Sequence, residues 1–155
     1  MPNGSEDRGT ERVLIALLCA AAALPFLPAL GGAFTNWDDD FLVSENPLLR
    51  AGVRDGLLPL LTQPFLKLYA PVSHGVFWLQ FQLWGGHPLG YHLVNLLCHV
   101  LGAILLYEIL RRMLSARRGR GESEGASRAP ALLAAAWWAA HPLHVEPVAW
   151  VTGLK

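Results

Sequence analysis

Residues 13–30, VLIALLCAAAALPFLPAL, run for 18 positions without a charge, and no other stretch constrains the fold as strongly. A helix rises about 1.5 Å per residue and the hydrocarbon core of a bilayer is about 30 Å thick, so roughly 20 helical residues, and about 17 at the least, cross it. The run meets that threshold narrowly. Pro25 and Pro28 are expected to kink it or end it early, because proline lacks an amide hydrogen and its ring collides with the preceding turn. Two further apolar segments follow. Residues 87–110 carry His92, Asn95, His99 and Glu108. Positions 92, 95 and 99 share one helix face by their i, i+3, i+7 spacing, and that face is expected to look into a bundle and not at lipid. Residues 131–151 begin apolar through Trp137 and Trp138 and then meet His141-Pro142-Leu143-His144-Val145-Glu146-Pro147. Two prolines and a carboxylate fit poorly in lipid, so the second half of this segment is expected at an interface or a polar cavity.

Composition agrees. Of 155 residues 53% are hydrophobic and 15% charged, which is unlike an ordinary soluble domain. The chain reads as an all-α integral membrane protein with about three transmembrane helices, since helix is the only open-chain form that satisfies its backbone groups in lipid. Zero net charge gives no signal for nucleic acid. Cys19 and Cys98 fall in apolar segments on different expected helices and read as small buried thiols, without the spacing of a disulfide framework.

Local charge sets the expected topology. Six of the twelve basic residues, all arginine, lie from Arg111 to Arg128, in a short Gly/Ser-rich stretch. The positive-inside rule makes residues 111–130 a cytoplasmic loop. Counting outward, residues 1–12 form a cytoplasmic tail, 13–30 the first span, 31–86 an outer loop, 87–110 the second span, 131–151 the third, and 152–155 the end of the chain. Asp38, Asp39, Asp40 and Glu146 then face one periplasmic or lumenal compartment. The alternative, a cleaved signal peptide over residues 1–33, is disfavoured by the length of the apolar run and by the hydrophobic segments that follow.

Within the outer loop, Asn46-Pro47 signals a turn. The later piece VSHGVFWLQFQLWGG spaces Phe77, Phe81 and Trp84 by four and three, which predicts an amphipathic helix lying in the membrane interface. The group Trp37-Asp38-Asp39-Asp40, just beyond the first apolar run, is the most distinctive feature. Three carboxylates at the mouth of a membrane helix are either solvated, used as a helix cap, or held for chemistry. His92, Asn95 and His99 fit interhelical hydrogen bonding better than catalysis. His141, His144 and Glu146 lack the H-E-x-x-H pattern of a zinc site, and no metal is expected there.

The segments NWDDDFLVSENPLL, YAPVSHGVFWLQFQLWGGHPLGYHLVNLLCHVLGAILLYEILRRML and LLAAAWWAAHPLHVEPVAWVTGLK, in that order, resemble the transmembrane and tetratricopeptide-repeat O-mannosyltransferase-like family and its bacterial-type relatives. Trp37-Asp38-Asp39, the stretch from Gly90 to Asn95 with His99, and the stretch from His141 to Glu146 carry the resemblance. The family is assigned to the GT-C glycosyltransferase superfamily. The resemblance implies sugar transfer, on the outer or lumenal face, from a polyprenyl-phosphate donor in the membrane lipid to an acceptor hydroxyl of protein or glycan, with no further cofactor. It makes Asp38 or Asp39 the candidate base, because an alcohol is a poor nucleophile until its proton begins to leave. Glu146 joins them as a catalytic candidate. His141, His144, Lys155, His92 and His99 are candidate donors to the anionic phosphate. Tyr69-Ala70-Pro71-Val72 lacks the basic residue expected before the outer-loop proline, and no 34-residue repeat occurs. The chain therefore reads as an N-terminal fragment with an incomplete GT-C-like bundle, inactive alone. The alternatives are a non-catalytic membrane anchor of a repeat protein, and a transporter or metal-handling protein that uses the histidines.

Overall fold

In a computed structural model, residues 4–117 and 124–154 are described, and every regular element among them is helical. The chain divides into two compact units. One is built from the residues up to Leu27 together with Leu96–His144, the other from Pro28–Asn95 together with Val145 onward.

In the first unit, helix α1 (Gly4–Ala23) starts well before the apolar run, because nothing in the polar residues ahead of it breaks a helix. It ends two residues short of Pro25 and continues as a tighter 3-10 turn over Leu24–Gly31, the geometry left when proline removes an i→i−4 hydrogen bond. Leu18 and Ala22 of α1 pack with Ala131, Ala135 and Ala139 of α6 (Arg128–Ala139), and with Ala103 and Tyr107 of the long helix α5 (Pro88–Ala116). The small residues let these backbones approach closely.

Helix α5 outruns the expected second span by six residues. Its last turns are held by Glu108, which accepts from Arg111 at 2.9 Å and from Arg112 at 2.6 Å. Its two faces differ sharply. Tyr91, Asn95, His99, Ala103 and Tyr107, spaced by four, are buried. Leu93, Leu97, Leu101, Leu105, Ile109 and Met113, also spaced by four, are exposed. That bare apolar ridge extends about 30 Å at 1.5 Å per residue, the thickness of a bilayer's hydrocarbon core. Among the described residues two helices, Arg8–Gly31 and Pro88–Ala116, are long and apolar enough to cross a membrane. The third apolar segment, expected as a helix over 131–151, is broken. Helix α6 stops at Ala139, a tight turn spans Pro142–His144, and a short helix α7 covers Val145–Ala149. Both cysteines are free thiols.

The second unit packs around Leu42, Val43, Leu49, Leu60, Phe77, Tyr91 and Val151. Asn46, read as a turn, instead caps the short helix α2 (Pro47–Arg50). Its side chain accepts from the Leu48 amide at 3.0 Å and donates to the Leu42 carbonyl at 3.1 Å, with Pro47 at the first helical position, where its missing amide hydrogen matters least. A second short helix, α3 (Leu58–Thr62), leads towards α4 (Pro71–Trp84), the helix expected from the Phe77/Phe81/Trp84 spacing. Its His74, Phe77 and Gln80 are buried, while Val72, Leu79 and Leu83 are exposed, so α4 turns apolar side chains outward and buries two polar ones beside Phe77. Gly85 ends it at a φ of 57°, which glycine adopts without strain.

Candidate functional site

Asp39 is the pivot of the second unit. It is fully buried, and its carboxylate is shared between segments far apart in sequence. Oδ2 accepts from the Thr35 amide at 2.9 Å and from the Thr35 hydroxyl at 3.0 Å, and Oδ1 accepts from the Thr152 amide at 3.0 Å. One side chain therefore closes the loop before it and clasps the chain 113 residues later. Asn95, also buried, reinforces the clasp by donating to the Trp150 carbonyl at 2.7 Å and the Val151 carbonyl at 3.2 Å. Gly153 completes it, since a Cβ there would come within 2.8 Å of Pro147 Cα and 2.9 Å of the Glu146 carbonyl oxygen.

The clasp brings Trp37 and Glu146 to one cavity of about 490 Å³, lined by Thr35, Trp37, Glu146 and Trp150. Trp150 follows Glu146 by one helical turn, its amide bonded to the Glu146 carbonyl at 3.1 Å, so both side chains lie on one face of that turn. The indoles of Trp37 and Trp150 meet nearly at right angles, at 75° with centroids 6.5 Å apart. Asp38, half-buried, lines a smaller hollow of about 180 Å³ with Phe41, Leu42, Leu66 and Leu68. Asp40 takes the Ser44 hydroxyl at 3.2 Å inside its own helical turn.

Of the histidines, His92 belongs to the same unit as the carboxylates. Its ring lies against Gly32, where a Cβ would stand 3.1 Å from Nε2. His74 is buried on α4 against the edge of Phe65, and burial lowers its pKa below the ordinary 6.5. His99, His141 and His144 fall in the first unit. His99 Nε2 donates to the Ala139 carbonyl at 3.0 Å, and its ring stacks on Trp138. His144 lies 4.2 Å from Trp138 and 5.1 Å from His99, ring to ring. His141 accepts from the Leu143 amide at 3.3 Å through Nδ1 and, with His144, lines a hollow of about 310 Å³ beside Trp137 and Trp138. Lys155 lies outside the described residues. Among the described residues no group of three or more His, Cys, Asp or Glu side chains is arranged to hold a metal.

Thus the expected site residues divide. Asp38, Asp39, Glu146 and His92 share one unit, and His99, His141 and His144 share the other. Thr35, Trp150, Thr152 and Gly153 went unremarked in the sequence, although they make the clasp and the cavity.

A protein O-mannosyl-transferase of Caenorhabditis elegans is 30% identical over 95% of the chain, which covers 21% of that relative. One from Drosophila melanogaster is 36% identical over 87% of the chain and 15% of the relative. A mouse protein O-mannosyl-transferase is 36% identical over 56% of the chain and 12% of the relative. The chain is homologous to protein O-mannosyl-transferases. It spans about a fifth of the length of the first of these transferases and less of the other two. No family model and no solved structure matches it. The likeness to the O-mannosyl-transferases supports the family read from the three motifs, and Asp39 of the first motif bonds the chain at Thr152, six residues beyond Glu146.

Proposed function

We propose that this chain supplies the acidic acceptor-activating site of a membrane O-mannosyltransferase of the GT-C type, facing the periplasm or lumen and using a polyprenyl-phosphate sugar as donor. The observation that carries the proposal is the Asp39 clasp, which joins the acidic motif to the Glu146 segment around one cavity. Three spans, with the Arg-rich segment cytoplasmic, put that cavity at the outer membrane face. The broken third segment suits this arrangement, because non-helical backbone is tolerated only where protein or water covers it.

The three neighbouring carboxylates take different work. Asp39 cannot serve as base, since both its oxygens are bonded and it is buried. Asp40 is turned into its own helix. Asp38 is the proton acceptor. In the transfer, the acceptor oxygen bonds to the anomeric carbon as the bond from that carbon to the phosphate oxygen breaks. The hydroxyl proton passes to Asp38, and the electron pair leaves on the lipid phosphate. Asp39 positions, and Glu146 borders the substrate. His99, with its ring nitrogen given to Ala139, supports the fold and not the phosphate. A protein or glycan hydroxyl is the acceptor.

Transfer of labelled mannose from polyprenyl-phosphate mannose by membranes containing the full-length protein tests the proposal. Asp38→Asn is expected to lower the rate by about a hundredfold or more, the usual contribution of a positioned base. The 155-residue chain alone, which covers 21% of the Caenorhabditis elegans relative, is expected to transfer nothing, and turnover by the purified chain would contradict that part.

A further inference from the structure

The cavity beside the Asp39 clasp has a chemistry of its own. Its 490 Å³ falls within the range of small-molecule sites, roughly 300–1,000 Å³. Trp37 is 73% exposed, an unusual state for an indole unless something covers it. The two indoles form a corner and not a stack. An indole face carries partial negative charge and attracts C–H bonds that point at it. At the rim stands Glu146, whose ionised carboxylate only accepts hydrogen bonds, and the Thr35 hydroxyl, whose hydrogen is already given to Asp39.

A ligand matching this lining has one face of C–H bonds and an edge of hydroxyl donors. A phosphate matches this lining poorly, since among the described residues none of the four lining it is a cation and Glu146 repels an anion. We propose that this corner seats a hexopyranosyl group, with Trp37 and Trp150 against its C–H face and Glu146 receiving its hydroxyl hydrogens, while the phosphate of the donor lies outside it. The assignment rests on the transferase reading above and adds to it which residues hold the sugar. Asp39 is a positioning residue for this seat. Its Oδ2 fixes the strand of chain bearing Thr35 and Trp37, and its Oδ1 fixes the one bearing Trp150 and Thr152.

The test uses the full-length protein in lipid nanodiscs, with kcat and separate KM values for polyprenyl-phosphate mannose and for the acceptor. Because Trp37 is exposed, Trp37→Ala removes a wall without opening the core. It is expected to raise the donor KM by about tenfold, equivalent to about 1.4 kcal/mol, with a smaller change in kcat and none in the acceptor KM. Trp37→Tyr, which keeps an aromatic face, restores most of the loss, and Trp150→Phe behaves in the same way as Trp37→Tyr. An unchanged donor KM in Trp37→Ala, or a rise in the acceptor KM in its place, overturns the seat while leaving the transferase reading standing. Competitive inhibition by tetramethylammonium but not by methyl α-D-mannopyranoside would also overturn it, by making the corner a cation cage. If the parent protein transfers no sugar, the transferase reading fails, and ligand-observed NMR with methyl α-D-mannopyranoside decides the seat separately. Binding that Trp37→Ala removes supports it, and no binding to the parent overturns it.

Discussion

Asp39 carries three hydrogen bonds on one buried carboxylate, two from Thr35 and one from Thr152. The Thr152 amide is buried, so Asp39→Ala strands it without an acceptor and removes a charge-assisted bond. The expected loss of stability is on the order of 2 kcal/mol, seen as a lower thermal midpoint in detergent. An unchanged midpoint would remove Asp39 from its bracing role. Asp38→Asn, at a half-buried position, is expected to leave the midpoint within about 0.5 kcal/mol of the parent. His74 gives a second prediction at this scale. Its buried ring nitrogens make no hydrogen bond, and burial holds its folded pKa below that of the unfolded chain. The unfolded state therefore binds more protons below about pH 6.5, and stability falls as pH drops from there towards the folded pKa. His74→Phe, which keeps the ring against Phe65, is expected to flatten that part of the fall. A pH profile of the denaturation midpoint identical to the parent's would contradict it. The types of these residues were legible in the sequence, but the Asp39–Thr152 pairing was not, because no periodicity links positions 113 apart.

At the scale of elements, α5 and α4 were legible because their apolar spacing is long and regular, as the burial of Asn95 and His99 along one face of α5 bears out. The short helices between residues 40 and 62 were not, since each is only one turn and depends on local devices such as the Asn46 cap. The third segment was read as one span over 131–151 with its second half at an interface or polar cavity, and the helix ends at Ala139 ahead of Pro142 and Pro147, which deny the backbone two amide donors within six residues. The exposed ridge of α5 makes its own prediction. Leu101→Arg places a charge midway along it and is expected to disfavour insertion by about 2.5–3.5 kcal/mol, so that the variant becomes extractable by alkaline carbonate. Retention equal to the parent would argue that the ridge does not face lipid. On the second unit, Gly153→Ala is expected to loosen the turn after α7, because its methyl group meets backbone and not a movable side chain. A loss of about 1–3 kcal/mol, the usual cost of forcing an extra methyl group into a packed site, should appear as a lower midpoint.

For the molecule as a whole, two structural units divide the residues that the family motifs contain. The carboxylates and the tryptophan corner belong to one, and the His99–Trp138–His144 aromatic cluster belongs to the other. The proposed sugar transfer takes its direction from the similarity to protein O-mannosyl-transferases and its place in this chain from the clasp around Asp39. On the proposed reading side chains near in sequence take different tasks: Asp38 is to receive the proton, while Asp39 holds the frame and Asp40 bonds within its own helical turn. The most direct measurement is the rate of mannose transfer from polyprenyl-phosphate mannose by the full-length protein and its Asp38→Asn variant, at matched levels in the membrane. The account predicts a fall of about a hundredfold or more in the variant. Transfer at the parent rate would contradict it.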